Sequence, residues 1–220
     1  MPKQNRVTPF GTIIATSARG TLMGNRGILH DLNKNIVRPW QHKRWITCLL
    51  EFNGRKREIM ATGSYTELFF LDEATALAAG HRPCAECRRS RYKAFVEAWR
   101  RGNPDAGAAP KLGADALDED LHRERTRGGP VAAIDSLPDG VFVQRMEEPE
   151  TAYLLWKGGL HAWSPEGYLS RRPRSEGEEV RVLTPASVVR AIRYGYSPDV
   201  HSSAEAHKPA VLRWRKLHYG

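Results

Sequence analysis

The sequence predicts an α+β protein, with a basic N-terminal part containing a β-hairpin and a Cys-x-x-Cys segment, and a β-rich C-terminal part. Three observations support this. Fourteen prolines and nineteen glycines in 220 residues supply too many turns for a long helical bundle. Short apolar or alternating runs bounded by turn residues recur along the chain, as strands do. Helical periodicity with recognisable ends is confined to four short segments. An apolar share of 40% and a charged share of 27% are those of an ordinary globular chain. No run approaches the roughly 18 apolar residues that would span a bilayer.

Taken in order, Trp45 to Phe52 reads as a strand with Ile46, Cys48, Leu50 and Phe52 on its apolar face, which makes Cys48 an expected core thiol. Asn53-Gly54 is a type I′ turn signal, and Arg55 to Met60 should return as the partner strand. Leu68 to Leu71 is a short strand. Asp72 can cap the helix from Glu73 to Ala79, and Gly80 suits its C′ position. A second helix, Arg88 to Arg101, carries Tyr92, Phe95, Val96 and Trp99 on one stripe. Gly102 to Pro110 reads as a loop, and Asp115 to Arg125 as a short acidic helix presenting Leu117 and Leu121. Strands are expected at Val141 to Met146, Thr151 to Trp156 and Val180 to Leu183, with Lys157-Gly158-Gly159 as a turn. Thr184-Pro185 should cap a last helix to about Tyr194, with proline at N1. His161 to Tyr168 has the composition of a site loop, and the chain from Ser197 looks irregular. The resulting organisation is 1–101 as a basic region, 102–130 as loop and acidic helix, and 131–220 as a β-rich region packed on the first.

The net charge of +9 is unevenly placed. Residues 1–57 hold eleven lysines and arginines against Asp31 and Glu51, whereas 105–125 reverses sign with six acids against three bases. A basic half suits a phosphate-backbone partner, because each neutralised phosphate releases a counterion. Nucleic acid, DNA in particular, is therefore the expected partner. The contacts are expected from Arg38, Trp40, Lys43 and Arg44, from the hairpin cations Arg55, Lys56 and Arg57, and from Arg82, Arg88 and Arg89. Within Val37 to Trp45, the tryptophans could stack on bases or anchor a core with cations as its rim.

Glu67 to Arg89 contains Glu73-Ala74, Ala78-Ala79-Gly80, Arg82-Pro83, Cys84 and Cys87 at linked spacings. This segment resembles the second half of the Ada-type zinc module, found in DNA-repair regulators and beside micrococcal-nuclease-like domains. The resemblance covers about a tenth of the chain and implies an Ada-like knuckle, a zinc ion and a role in DNA repair or processing. Independently of it, two thiolates three residues apart can hold one tetrahedral Zn²⁺. Cys48 is the remaining cysteine, and His42 or His30 could complete the set. The module's methyl transfer depends on four thiolates, and with at most three here that step is not expected.

A second reading is a nuclease or base-directed hydrolase, with His30, Asp31 and Glu67 as candidate acid–base residues. A third is an interaction protein without metal. Three cysteines in a chain of this length point to a reducing, cytoplasmic setting rather than a disulfide scaffold. Pro9 and Gly11 interrupt what would otherwise be a signal-peptide core.

Overall fold

The computed structural model describes residues 1–54, 58–104 and 114–206. It is a mixed α+β structure with two six-stranded sheets and helices between and around them. The first sheet contains β1 (Gln4–Val7), β2 (Ile13–Ala15), β3 (Leu22–Asn25), β4 (Ile46–Cys48), β5 (Leu68–Phe70) and β6 (Arg82–Pro83), in the order β2-β1-β5-β3-β4-β6. The pairs β1–β5 and β4–β6 are parallel. The second sheet contains β7 (Val131–Ala133), β8 (Phe142–Arg145), β9 (Ala152–Trp156), β10 (Gly159–Ser164), β11 (Gly167–Pro173) and β12 (Glu179–Val182). It is antiparallel throughout, in the order β11-β10-β9-β8-β12-β7.

Helix α1 (Glu73–Ala78) lies between the sheets, and every one of its residues is buried. Its small side chains make that position possible. Ala76, with Ala79 just past the helix end, packs on Val7, Leu22, Leu68 and Phe70 of the first sheet, while Ala74 and Ala78 pack on Phe142, Ala152 and Leu154 of the second. The Asp72 carboxylate caps the helix by accepting the Thr75 N–H at 2.8 Å, and Gly80 follows the end with φ +81°. Helices α2 (Arg89–Gly102), α3 (Ala114–Arg127) and α4 (Ala186–Arg193) cover the other face of the second sheet. There Phe95, Trp99, Leu117, Leu121, Val188 and Ile192 meet Val143, Tyr153, Leu155 and Val180. With both faces covered, β9 is buried at Ala152, Tyr153, Leu154 and Leu155 in succession.

Several expectations change. The strand expected over 45–52 is only Ile46–Cys48, and β4 pairs with β3 and β6 rather than with a returning hairpin. Asn53 and Gly54 do adopt left-handed turn angles, φ +53° and +65°, but Glu58 to Met60 form no strand. Arg55, Lys56 and Arg57 lie outside the described residues, as does most of the loop expected at 102–110. The segment from His161 to Tyr168 is not a site loop. It runs through β10 into β11 across a tight turn, and burial of His161 and Ala162 within the sheet sets its composition. Pro185, not Thr184, stands at the N-cap of α4, because the Thr184 hydroxyl accepts the Phe142 N–H at 2.9 Å. Beyond Ser197, a short helix α5 (Ser203–Ala206) packs Ala204 into the core. No helix among the described residues is long and apolar enough to cross a membrane.

Candidate metal centre

The outer face of the first sheet carries the cysteines. Alternation along β4 turns Thr47 inward, 1% exposed, and leaves Ile46 and Cys48 on the opposite face. This corrects the expectation that Cys48 is a core thiol, since the apolar side chains of this strand line a cavity instead. Beside β4, the parallel strand β6 places Pro83 opposite Thr47, and the Cys84 N–H donates to the Thr47 carbonyl at 2.8 Å. Cys84 is thereby set next to Cys48. The chain then turns, with the Glu86 N–H directed at Cys84 Sγ (3.4 Å) and the Arg88 N–H at the Cys84 carbonyl (3.2 Å), and Cys87 falls on the same side just before α2.

The three Sγ atoms lie within 4.8 Å of one another. Sulfurs around a tetrahedral zinc stand about 3.8 Å apart, so small side-chain rotations suffice to bind the ion. Three soft sulfur donors also suit zinc better than a hard cation. The Cys84 thiol is lowered to about 5, chiefly because Cys48 donates a hydrogen bond to it, with the N–H groups of Cys87 and Glu86 adding and burial opposing. Cys48 is correspondingly pushed up as the donor to Cys84, and burial pushes Cys87 up. Three cysteines that could hold a metal are thus brought together. His42 is not with them, since it lines a separate hollow with Lys43, Arg44, Asp115, Asp118 and Glu119.

The cysteines open on a cavity of about 640 Å³. The register Met23↔Cys48 and Met23↔Phe69 puts one residue from each of β4, β3 and β5 in a row on this face. One residue before β5, Glu67 lines the same cavity, as does Asn25. Glu67 is 2% exposed, and its Oε2 accepts the Met60 N–H at 2.7 Å. That bond holds buried Met60 in a left-handed conformation, φ +58°. The other oxygen, Oε1, is buried with no hydrogen-bond partner among the described residues, an arrangement that costs free energy unless a ligand or proton is supplied. Phe52, Tyr65, Phe69 and Ile46 make the rest of the lining largely apolar.

The structure separates Glu67 from the other expected acid–base residues. His30 is buried with Nδ1 2.7 Å from the Thr66 hydroxyl, and Asp31 closes a turn by accepting the N–H groups of Asn33 and Asn35. Those bonds, Asn35 foremost, hold the Asp31 carboxyl below its ordinary value. Neither residue lines the cysteine cavity.

Many of the expected nucleic-acid contacts are occupied within the chain. Arg82 is 3% exposed and forms a two-pronged pair with Asp118 at 2.8 and 2.7 Å. Arg88 is buried against Glu73 at 2.9 Å. Lys43 pairs with Glu119 at 2.6 Å, and Arg44 with Asp115 at 3.1 Å. Lys43 and Arg44 of the basic N-terminal segment are thus partners of acidic α3, and the burial of Arg82 against Asp118 and of Arg88 against Glu73 corrects the reading of those two arginines as surface contacts. Trp45 is buried in the core, whereas Trp40, 38% exposed, sets its ring against His122 at 4.6 Å. Arg38 and Arg89 are exposed and make no ion pair with a described residue.

The sequence pattern identified Cys84 and Cys87 by their spacing. It missed Asn25 and Phe69, because their place on the cavity depends on strand pairing between distant segments. No family model, curated protein or solved structure matches the chain.

Proposed function

We propose that this chain is a zinc-dependent hydrolase whose ion is held by Cys48, Cys84 and Cys87. One observation carries the reading: three clustered cysteines and a buried glutamate, one of whose oxygens has no partner among the described residues, line a single cavity. No fourth His, Cys, Asp or Glu among the described residues joins the cluster, which leaves one coordination position for the cavity. When bound, zinc supplies Lewis acidity at that position. Glu67 takes a proton from water through Oε1 and returns it to the leaving group, while the Met60 N–H fixes its other oxygen. Phe69 and Phe52 suit a flat ring, and Asn25 offers a polar edge, so a heterocyclic base is the favoured substrate class.

Cobalt substitution tests the reading. The Co²⁺ form should show a thiolate-rich tetrahedral spectrum that shifts when imidazole is added. Glu67→Gln should keep the spectrum and lose hydrolysis across a panel of nucleobases and nucleosides. A spectrum indifferent to added ligands would indicate a closed structural site and contradict the proposal.

Nucleic-acid binding, probed with DNA, is the second reading, favoured by the +9 charge and by exposed Arg38 and Arg89. The likeness of Glu67 to Arg89 to the Ada-type module supports it. Its test is the salt dependence of binding. Replacing Arg38 or Arg89 should lower the slope of log K against log salt by about one each.

A further inference from the structure

On the opposite side of the first sheet lies a second cavity, of about 490 Å³, where Trp45 meets α3, the start of α4 and the turn at Gly11. Arg26, Arg125, Arg127 and Arg181 line it. Arg26 is 2% exposed, and its Nε donates to His81 Nε2 at 3.3 Å and its Nη1 to the Gly11 carbonyl at 3.0 Å. Its Nη2 is buried with no hydrogen-bond partner among the described residues. Arg125 donates to the carbonyls of Gly80 and Lys43, at 2.8 and 2.5 Å, and to His122 Nδ1. Both guanidiniums stack on the Trp45 ring, 4.0 and 3.7 Å from its centre.

Among the described residues, none of these four arginines forms an ion pair. The one acid among the described residues of the lining, Glu124, is engaged elsewhere. It accepts the Ser187 N–H at 2.9 Å and the Ser187 hydroxyl at 2.6 Å, and lies 3.6 Å from Arg190. His81, buried between Phe70 and Trp45, has its protonation opposed foremost by burial and then by Arg26 and Arg125, and an imidazole carries no negative charge in either state, so it is no counterion. Asp118 also acts on Arg125 but is itself bonded to Arg82, so buried Arg26 and partly buried Arg125 stand close together with little compensating charge, a costly arrangement that an anion would offset. Guanidinium forks match phosphoryl oxygens, and Phe10, Pro39, Leu183 and Pro130 add an apolar rim.

We infer that this cavity binds the phosphoryl group of a small phosphorylated molecule, with Arg26 and Arg125 at its floor and Arg127 and Arg181 at its mouth. Its volume is that of a small-ligand site rather than a polymer track. The site does not depend on zinc.

Titration calorimetry of the full chain with inorganic pyrophosphate, at fixed ionic strength, tests this. Saturable binding is expected, weakened about tenfold or more in Arg127→Ala/Arg181→Ala. Those two side chains are exposed, so the variant should melt at the wild-type temperature. Arg26→Gln should abolish binding if it folds. No binding beyond that of a chloride control, unchanged affinity in the double variant, or preferential binding of a single-stranded oligonucleotide would each overturn the inference.

Discussion

The backbone N–H of Cys84 donates to the carbonyl of Thr47 at 2.8 Å, tying two cysteine-bearing segments that lie 36 residues apart in the chain. Because Thr47 is followed by Cys48, this one bond sets the separation between the first two sulfurs. The hydroxyl of Thr47 adds to the hold, donating to the Arg82 carbonyl at 3.2 Å and accepting from Arg88 at 3.1 Å. The cluster is thus built by parallel pairing of β4 and β6, and its integrity depends on the sheet beneath it.

Gly24→Ala should damage the centre without touching it. A Cβ at Gly24 would stand 2.2 Å from the Ile46 carbonyl oxygen and 2.9 Å from the Phe70 ring, so β3 and β4 must separate. Stability should fall by about 1–3 kcal/mol, and zinc affinity should fall with it. Urea unfolding together with zinc competition by a chromophoric chelator measures both. Unchanged values would show that β3 does not hold β4 in place.

The buried pair Arg82–Asp118 joins the strand leading into Cys84 to α3. Asp118→Ala leaves a guanidinium buried without its partner and should cost about 3–5 kcal/mol. Replacing both residues, as in Arg82→Met/Asp118→Leu, should cost much less. Equal losses in the two variants by chemical denaturation would argue against this account.

Parts of this architecture were legible in the sequence. The cap at Asp72, the glycine after α1 and the Phe95–Trp99 stripe of α2 are local signals, and all three appear in the structure. The side of β4 on which Cys48 lies was not legible, because apolar side chains at Ile46 and Leu50 signify burial only if no cavity lies outside the sheet. The β10–β11 hairpin was obscured by Ser170, Arg171 and Arg172, which pair as an edge strand while remaining partly or fully exposed. The charge blocks were visible as such, but their pairing through α3 was not, since ion pairing across 71 to 76 positions leaves no local pattern. Arg26 has no sequence signature of burial.

Acid should destabilise the fold through His81. Its folded-state value is well below 6.5, from burial first and then from Arg26 and Arg125. The unfolded chain therefore takes up a proton below about pH 6.5 that the folded chain refuses, and stability is lost as pH falls. The loss approaches about 1.4 kcal/mol per pH unit for one proton. His42 and His122 are lowered in the same direction and add to the slope. His81→Gln keeps an acceptor for Arg26 but does not titrate, so its unfolding free energy should vary less between pH 6.5 and 5. Identical slopes in the two proteins would contradict the assignment.

The most direct test of the central claim is the zinc content of the purified full chain, measured by elemental analysis beside Cys48→Ser and Cys84→Ser/Cys87→Ser. The account predicts about one zinc per chain in the wild type, much weaker retention in Cys48→Ser, and none in the double variant. A reduced, folded wild type without metal, or a Cys48→Ser variant that retains zinc as tightly as the wild type, would contradict it.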